Sequence, residues 1–511
     1  MQKPPPEPCE RAPIAIAPVV GSGERSLGHL AVSGFIWSAV QSWGGRLLQF
    51  ALFVILARFL SPAEFGVASA AAMIILIVTL VAEFGFTDAI IQRPGLERSD
   101  VNLPFYFSVG ISLTLACCII AASSMLERWL EIPGTQPVIV ALSALAPVQT
   151  IALFQEMQYK RNMAFQALAF RVLIANILSG FVSISMAMMG WGVWSLVAQT
   201  YVVTFVSLIW MWSRPFWTPG IELRPRSFIS LARFSIFILA MRVLDFGATR
   251  LVEFITIERY GVRAYGLYAA SSRLNLTLLD MLQSALSDVS LSVLSKISGE
   301  RERLAAIYRV STVIASNLLS PIFLCAGALA FEITETLFGD KWSGIEGISR
   351  TLFILGSVQV VQFLSRPYLS ARGRSDKVLV ISLSKFAITI TGLVLIPHED
   401  IYELVTVFIA MQLLSAPISF YMTATEINSS LFRLVRDLLP VAAAGFMADR
   451  AVWLARPWLI TEGLTESLTR AITLGVIFVV IYGSCILLFG REQILVAMEF
   501  VGKRLKGMRA P

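Results

Sequence analysis

Charge is scarce in this chain: 15% of its 511 residues are Asp, Glu, Lys or Arg, against about 25% in soluble domains. Hydrophobic residues make up 56%, where soluble chains hold about 45–50%. Such a composition identifies an integral membrane protein. Histidine is scarcer still. His29 and His398 stand far apart, which argues against His-based catalysis and metal sites. The five cysteines, Cys9, Cys117, Cys118, Cys325 and Cys485, show neither metal-ligand nor disulfide spacing. No phosphate-loop pattern occurs. Ser382-Leu383-Ser384-Lys385 fits Ser-x-x-Lys, but it lies inside an apolar span without companion motifs. No catalytic residue, metal or cofactor is therefore expected, and the chain reads as a non-enzyme.

What is present is a succession of apolar runs. Fourteen helical spans are expected, each near the ~20 residues that a bilayer requires. Their limits are 31–57, 66–90, 104–125, 138–158, 165–188, 193–213, 234–257, 266–290, 308–331, 347–370, 378–396, 402–424, 438–455 and 470–490. The Pro-rich residues 1–28 are too interrupted for a secretory signal and are expected to form a disordered cytoplasmic tail. Residues 491–511 form a basic cytoplasmic tail. Loops and tails alternate in charge: one set carries 25 Lys and Arg, the other 8. Positive residues accumulate on the cytoplasmic side, so both termini are expected there. The net charge of +7 reflects this topology and contact with anionic lipid, not nucleic acid. Trp129, Trp191, Trp194, Trp212, Trp217, Trp342 and Trp458 lie at span ends and are expected to form interfacial belts.

The chain also repeats itself at a distance of 200 residues. Phe65-Gly66 falls on Tyr265-Gly266, each followed by small residues, and Asp88 falls on Asp288. Two six-helix lobes of parallel orientation, 29–215 and 234–425, then follow, joined by a cytoplasmic linker at 216–233. A pseudo-twofold along the membrane normal would relate them and leave a central cavity of the kind in which transporters hold cargo. Residues 426–490 add two helices. The expected class is thus an all-α polytopic membrane protein.

Eight basic residues lie in or near spans: Arg46, Arg171, Arg242, Arg250, Arg273, Arg350, Arg366 and Lys385. Acids within spans include Glu83, Asp245, Glu253 and Asp280. Each such charge facing lipid costs about 2.5–3.5 kcal/mol on the insertion scale, so they are expected to point inward, as packing ion pairs or as a wet path. At 100° per residue, Arg242, Asp245 and Glu253 share a helix face with Arg250 at its border, and Arg273 and Asp280 share another. Bases outnumber acids, which predicts an anion-binding lumen built from Arg46, Arg242, Arg250, Arg273, Lys385 and Arg171. Glu83, Asp245, Glu253 and Asp280 would tune charge or couple an ion.

Several segments carry a family likeness: AEFGFTDAIIQR, LFQEMQYKRNMAFQALA, GWGVWSLVAQTYV, TRLVEFITIERYGVRAYGLYAASSRL and ETLFGDKWSG. Over about residues 30–400 the chain resembles the polysaccharide transporter branch of the multidrug/oligosaccharidyl-lipid/polysaccharide exporter superfamily. Members usually show Arg followed three residues later by Asp; here Arg250 is followed by Glu253, with Leu251 where Asn is common. The resemblance implies two six-helix lobes plus two helices that open alternately to either side. It also implies flipping of a polyprenyl-pyrophosphate-linked oligosaccharide repeat across the bacterial inner membrane, for exopolysaccharide, O-antigen or capsule assembly. Implied partners are that lipid-linked cargo, membrane lipids, a polysaccharide polymerase, a chain-length regulator and a coupling proton or sodium ion. A small-molecule or drug antiporter of the same fold, and a polymerase or ligase of the same pathway, stand as alternatives.

Overall fold

The structure, a computed structural model, describes residues 43–93, 95–132, 134–294, 301–372, 374–427, 431–461 and 466–490. The regular elements among them are all helical. In the N-terminal half these are α1 (Gly45–Phe59), α2 (Pro62–Glu83), α3 (Phe86–Gln92), α4 (Asn102–Leu130), α5 (Thr135–Arg161), α6 (Phe165–Met188) and α7 (Trp194–Ser213). A long bent element, α8 (Pro225–Leu294), leads into the C-terminal half. There follow α9 (Arg301–Leu318), α10 (Ser320–Ala328), α11 (Ala330–Phe338), α12 (Ile345–Gln362), α13 (Ser365–Ala371), α14 (Ser375–Leu395) and α15 (Ile401–Glu426). The last two are α16 (Leu431–Thr461) and α17 (Ser467–Phe489). The expected tails lie outside the described residues.

Twelve helices among the described residues are long and apolar enough to cross a membrane. The expected first span begins outside the described residues and continues in α1. The expected eighth span, 266–290, is helical but is not one of the twelve; it carries Arg273, Asn275 and Asp280. The expected seventh and eighth spans meet without a loop. They join at Gly261, whose φ of 76° and ψ of 179° lie in a region that only glycine enters freely. Residues 330–342, expected to end a span and begin a loop, instead form α11 and a short 3-10 turn. The expected linker ends early, because α8 starts at Pro225, a residue whose fixed φ suits a first helical turn.

Local sequence explains the helix ends. Before α2, the Ser61 hydroxyl accepts from the Glu64 N–H while the Glu64 carboxylate accepts from the Ser61 N–H at 2.8 Å, with Pro62 as the first helical residue. This reciprocal cap satisfies N–H groups that a helix start leaves open.

The seam between the halves runs along α2 and α8, which pack closely. The largest apolar cluster draws on both halves, with Phe53 and Phe65 from one and Tyr265, Phe338 and Trp342 from the other. The Phe65 and Trp342 rings stand 5.8 Å apart, and the Phe53 and Phe338 rings 5.6 Å apart. Trp342 is 1% exposed and donates its ring N–H to the Ala57 carbonyl at 2.8 Å. It is therefore a bolt in the seam and not part of an interfacial belt; Trp217 is likewise buried. Trp129, Trp191 and Trp458 are exposed, as a belt requires. Arg58 donates to the carbonyls of Thr336 and Leu337, which caps the negative end of α11 from across the seam.

Two glycines set how close the halves come. A methyl on Gly66 would stand 2.2 Å from the Val262 carbonyl oxygen, and one on Gly266 would stand 1.8 Å from the Pro62 carbonyl oxygen. These contacts are reciprocal across the 200-residue offset. At Gly266 only backbone atoms stand this close, so no side chain can move aside. Gly266→Ala is therefore expected to lower the melting temperature of the detergent-solubilised protein by an overpacking cost of about 1–3 kcal/mol. Gly110→Ala, where nothing lies within 4 Å, is expected to leave it unchanged or raise it. Equal melting of the two variants would contradict this account of the seam.

Candidate functional site: charged groups along the seam

Within the expected seventh span, α8 carries four charges, Arg242, Asp245, Arg250 and Glu253, and the fold gives them different partners. Arg242 reaches the other half, where it bonds Glu83 at 2.9 Å and Asp88 at 2.6 Å. Asp245 turns into the C-terminal half and accepts two bonds from Arg366, at 3.0 and 2.9 Å. Arg366 donates a third bond to the Ser382 hydroxyl at 3.1 Å. Arg250 pairs with Glu253 and lies 5.3 Å from the centre of the Phe246 ring. Glu253 is 7% exposed and also accepts from the Tyr265 hydroxyl at 3.0 Å. The shared helix face inferred from the sequence is thus divided among three neighbours.

The second part of α8 faces α1. Arg46 donates to the Asp280 carbonyl oxygen at 3.0 Å, and the Trp43 ring N–H donates to Ser284 at 3.1 Å. Arg273 lies 5.2 Å from the centre of the Phe53 ring, which belongs to the opposite half. It is exposed, and no carboxylate lies within ion-pair distance of it among the described residues. An arginine left accessible over an aromatic face keeps its full fork of donors for a ligand.

Lys385 lines a cavity of about 380 Å³ inside the C-terminal half, together with Asp245, Arg366, Gln283, Gln359 and Gln362. Its ammonium has no hydrogen-bond acceptor among the described residues. Arg171 stands apart from all of these. It is 8% exposed, stays within the N-terminal half and bonds Glu156 at 2.7 Å. Glu156 is shared with Lys160 at 2.8 Å.

Sequence reasoning assigned no role to Arg366 or Asp88. Both are charges within or beside apolar runs, and that signal was available. Their partners were not legible, because Arg366 is 121 residues from Asp245 and Asp88 is 154 from Arg242. A third group clamps the added helices. Glu332, fully buried, accepts two bonds from Arg456 at 2.7 and 2.9 Å, and Arg470 bonds the neighbouring Glu335 at 2.6 Å.

A model of the family described as "Polysaccharide biosynthesis protein" matches residues 55–346, more than half of the chain. The chain belongs to that family. It is 27% identical over 308 residues to the succinoglycan biosynthesis transport protein ExoT of Rhizobium meliloti (strain 1021), which covers 60% of this chain and 62% of that protein. It is 21% identical over 418 residues to the lipopolysaccharide biosynthesis protein WzxC of Escherichia coli (strain K12), covering 80% and 84% respectively. Among solved structures it resembles the lipid II flippase MurJ in an inward closed conformation, with a TM-score of 0.67 at 13% identity over 90% of this chain and 100% of that one. A multidrug resistance MATE family transporter in its inward-facing conformation gives 0.58 at 16% identity, over 76% and 96%. These structural likenesses establish the fold: an all-helical polytopic membrane protein.

The isolation of Arg171 has a measurable consequence. Breaking a buried pair costs about 3–5 kcal/mol, whereas replacing both partners with apolar residues is close to neutral. Arg171→Ala is expected to lower the melting temperature strongly. Arg171→Met combined with Glu156→Met is expected to recover much of that loss.

Proposed function

We propose that this protein carries a polyprenyl-diphosphate-linked oligosaccharide across the bacterial inner membrane, by alternating access of its two halves. The names of its relatives support the cargo class. The observation that carries the reading is Arg273: a guanidinium at the seam, accessible, with a ring of the opposite half as its neighbour and no carboxylate within ion-pair distance among the described residues. Arg46 approaches the same helix from the other half. Together they would hold the diphosphate, for which a planar fork of donors is well shaped. Arg242 and Arg250, each already matched by carboxylates, would contribute field without binding so strongly that cargo is trapped.

The six-helix units 29–215 and 234–425 would rock about the crossing at Gly66 and Gly266, with 426–490 riding on the second unit. Both termini would lie in the cytoplasm. The prenyl tail would remain in lipid, since burying it in a polar lumen forfeits about 0.8 kcal/mol per CH₂. No nucleotide is needed. With the inside negative, each negative charge moved outward gains about 2.3 kcal/mol per 100 mV. A polymerase and a chain-length regulator would receive the product, and a proton or sodium ion could be exchanged at Asp280.

Two measurements test this. In proteoliposomes, Arg273→Ala is expected to slow flipping of a prenyl-diphosphate disaccharide at least about tenfold, the scale of one lost charge-assisted contact, with Arg273→Lys intermediate. Undiminished flipping by the alanine variant would remove the lumen's central residue. Separately, an imposed inside-negative potential should speed export, and its collapse should slow it. Equal rates with and without potential or ion gradient would sink the proposed drive.

A further inference from the structure

Within the C-terminal half, the cavity of about 380 Å³ beside α8, α12 and α14 has a chemistry unlike that of the seam. Its volume lies in the range of small-molecule sites. Three of its lining residues are glutamines, Gln283, Gln359 and Gln362. An amide both donates and accepts, as a sugar hydroxyl does. The side-chain amide oxygen of Gln359, Oε1, is buried and has no hydrogen-bond partner among the described residues, a deficit that a ligand hydroxyl would relieve. Asp245 and Arg366 neutralise each other through two bonds, which leaves Lys385 as the cation open to a ligand. The cavity thus holds two cations against one carboxylate, a net positive charge among neutral amides.

We propose that this cavity is a glycan subsite in which Lys385 reads a single carboxylate carried by the sugar, while the glutamines bind its hydroxyls. A diphosphate fits poorly, because its multiple negative charges would outnumber the one free ammonium. Residues 245–419 alone line the cavity, so it would travel with one half during transport. The inference rests on the transport reading above and names the class of cargo that reading leaves open: an acidic oligosaccharide.

The test uses the full chain in proteoliposomes and two prenyl-diphosphate disaccharides, one ending in glucuronic acid and the other in glucose. Flipping is followed by access of a membrane-impermeant glycosidase. The wild type is expected to move the acidic cargo about tenfold faster, the scale of one charge-assisted contact. Lys385→Gln is expected to reduce that preference below about twofold by slowing the acidic cargo. Lys385→Arg should retain the preference, and Gln359→Glu should slow the acidic cargo selectively through repulsion. Arg273→Ala should slow both cargoes alike. Equal wild-type rates for the two cargoes, or an equal slowing of both by Lys385→Gln, would overturn the subsite while leaving transport intact. A wild type that moves neither cargo would overturn the transport reading, and the subsite with it.

Discussion

A charge inside a bilayer has no water to turn to, and this constraint organises the molecule. Each intramembrane acid or base must find a partner within the protein or face an aqueous hollow. The structure uses pairing almost throughout. Arg242 with Glu83 and Asp88, Asp245 with Arg366, Arg250 with Glu253, and Arg171 with Glu156 are matched within hydrogen-bond distance. Arg273 and Lys385 have no carboxylate within ion-pair distance among the described residues, and the functional argument rests on them. Matching the rest keeps the helices compatible with the membrane and concentrates the unspent positive charge in two places.

Those pairs do different structural tasks. Arg242 links the halves, whereas Asp245–Arg366 stays within one. The apolar seam works in the same direction as Arg242, with Trp342 hydrogen-bonded to Ala57 and Gly66 packed on Gly266. Close backbone approach lets two helices cross with little between them, as small residues do wherever membrane helices pack tightly. A contact of that kind can act as a pivot, because rotation about it displaces few atoms.

Much of the fold was legible in the chain, for identifiable reasons. The span at Phe165–Met188 has the expected limits. The capping box at Ser61–Glu64 and Pro225 also mark helix starts in plain sequence, yet the expected spans began later, at 66 and 234. The direct joint at Gly261 was not legible, since a single glycine inside a helical pattern gives no loop signal. Helix periodicity put Arg242, Asp245 and Glu253 on one face, and the helix respects that geometry. Periodicity carries no information about which neighbour covers each part of the face. Trp342 shows the same limit: a tryptophan at a span end suits an interfacial belt as well as a seam, and only long-range packing decides between them.

Helix α11 touches three parts of the molecule at once. Arg58 of the N-terminal half caps its carbonyl end, while Arg456 and Arg470 of the last two helices hold its acids Glu332 and Glu335. Glu332 has no exposed surface, so its carboxylate depends on those two distant guanidinium groups for compensation. The final helices are consequently not an optional ornament: a shortened chain lacking them would strand an anion in the protein interior, and evolution could trim them only by first replacing Glu332.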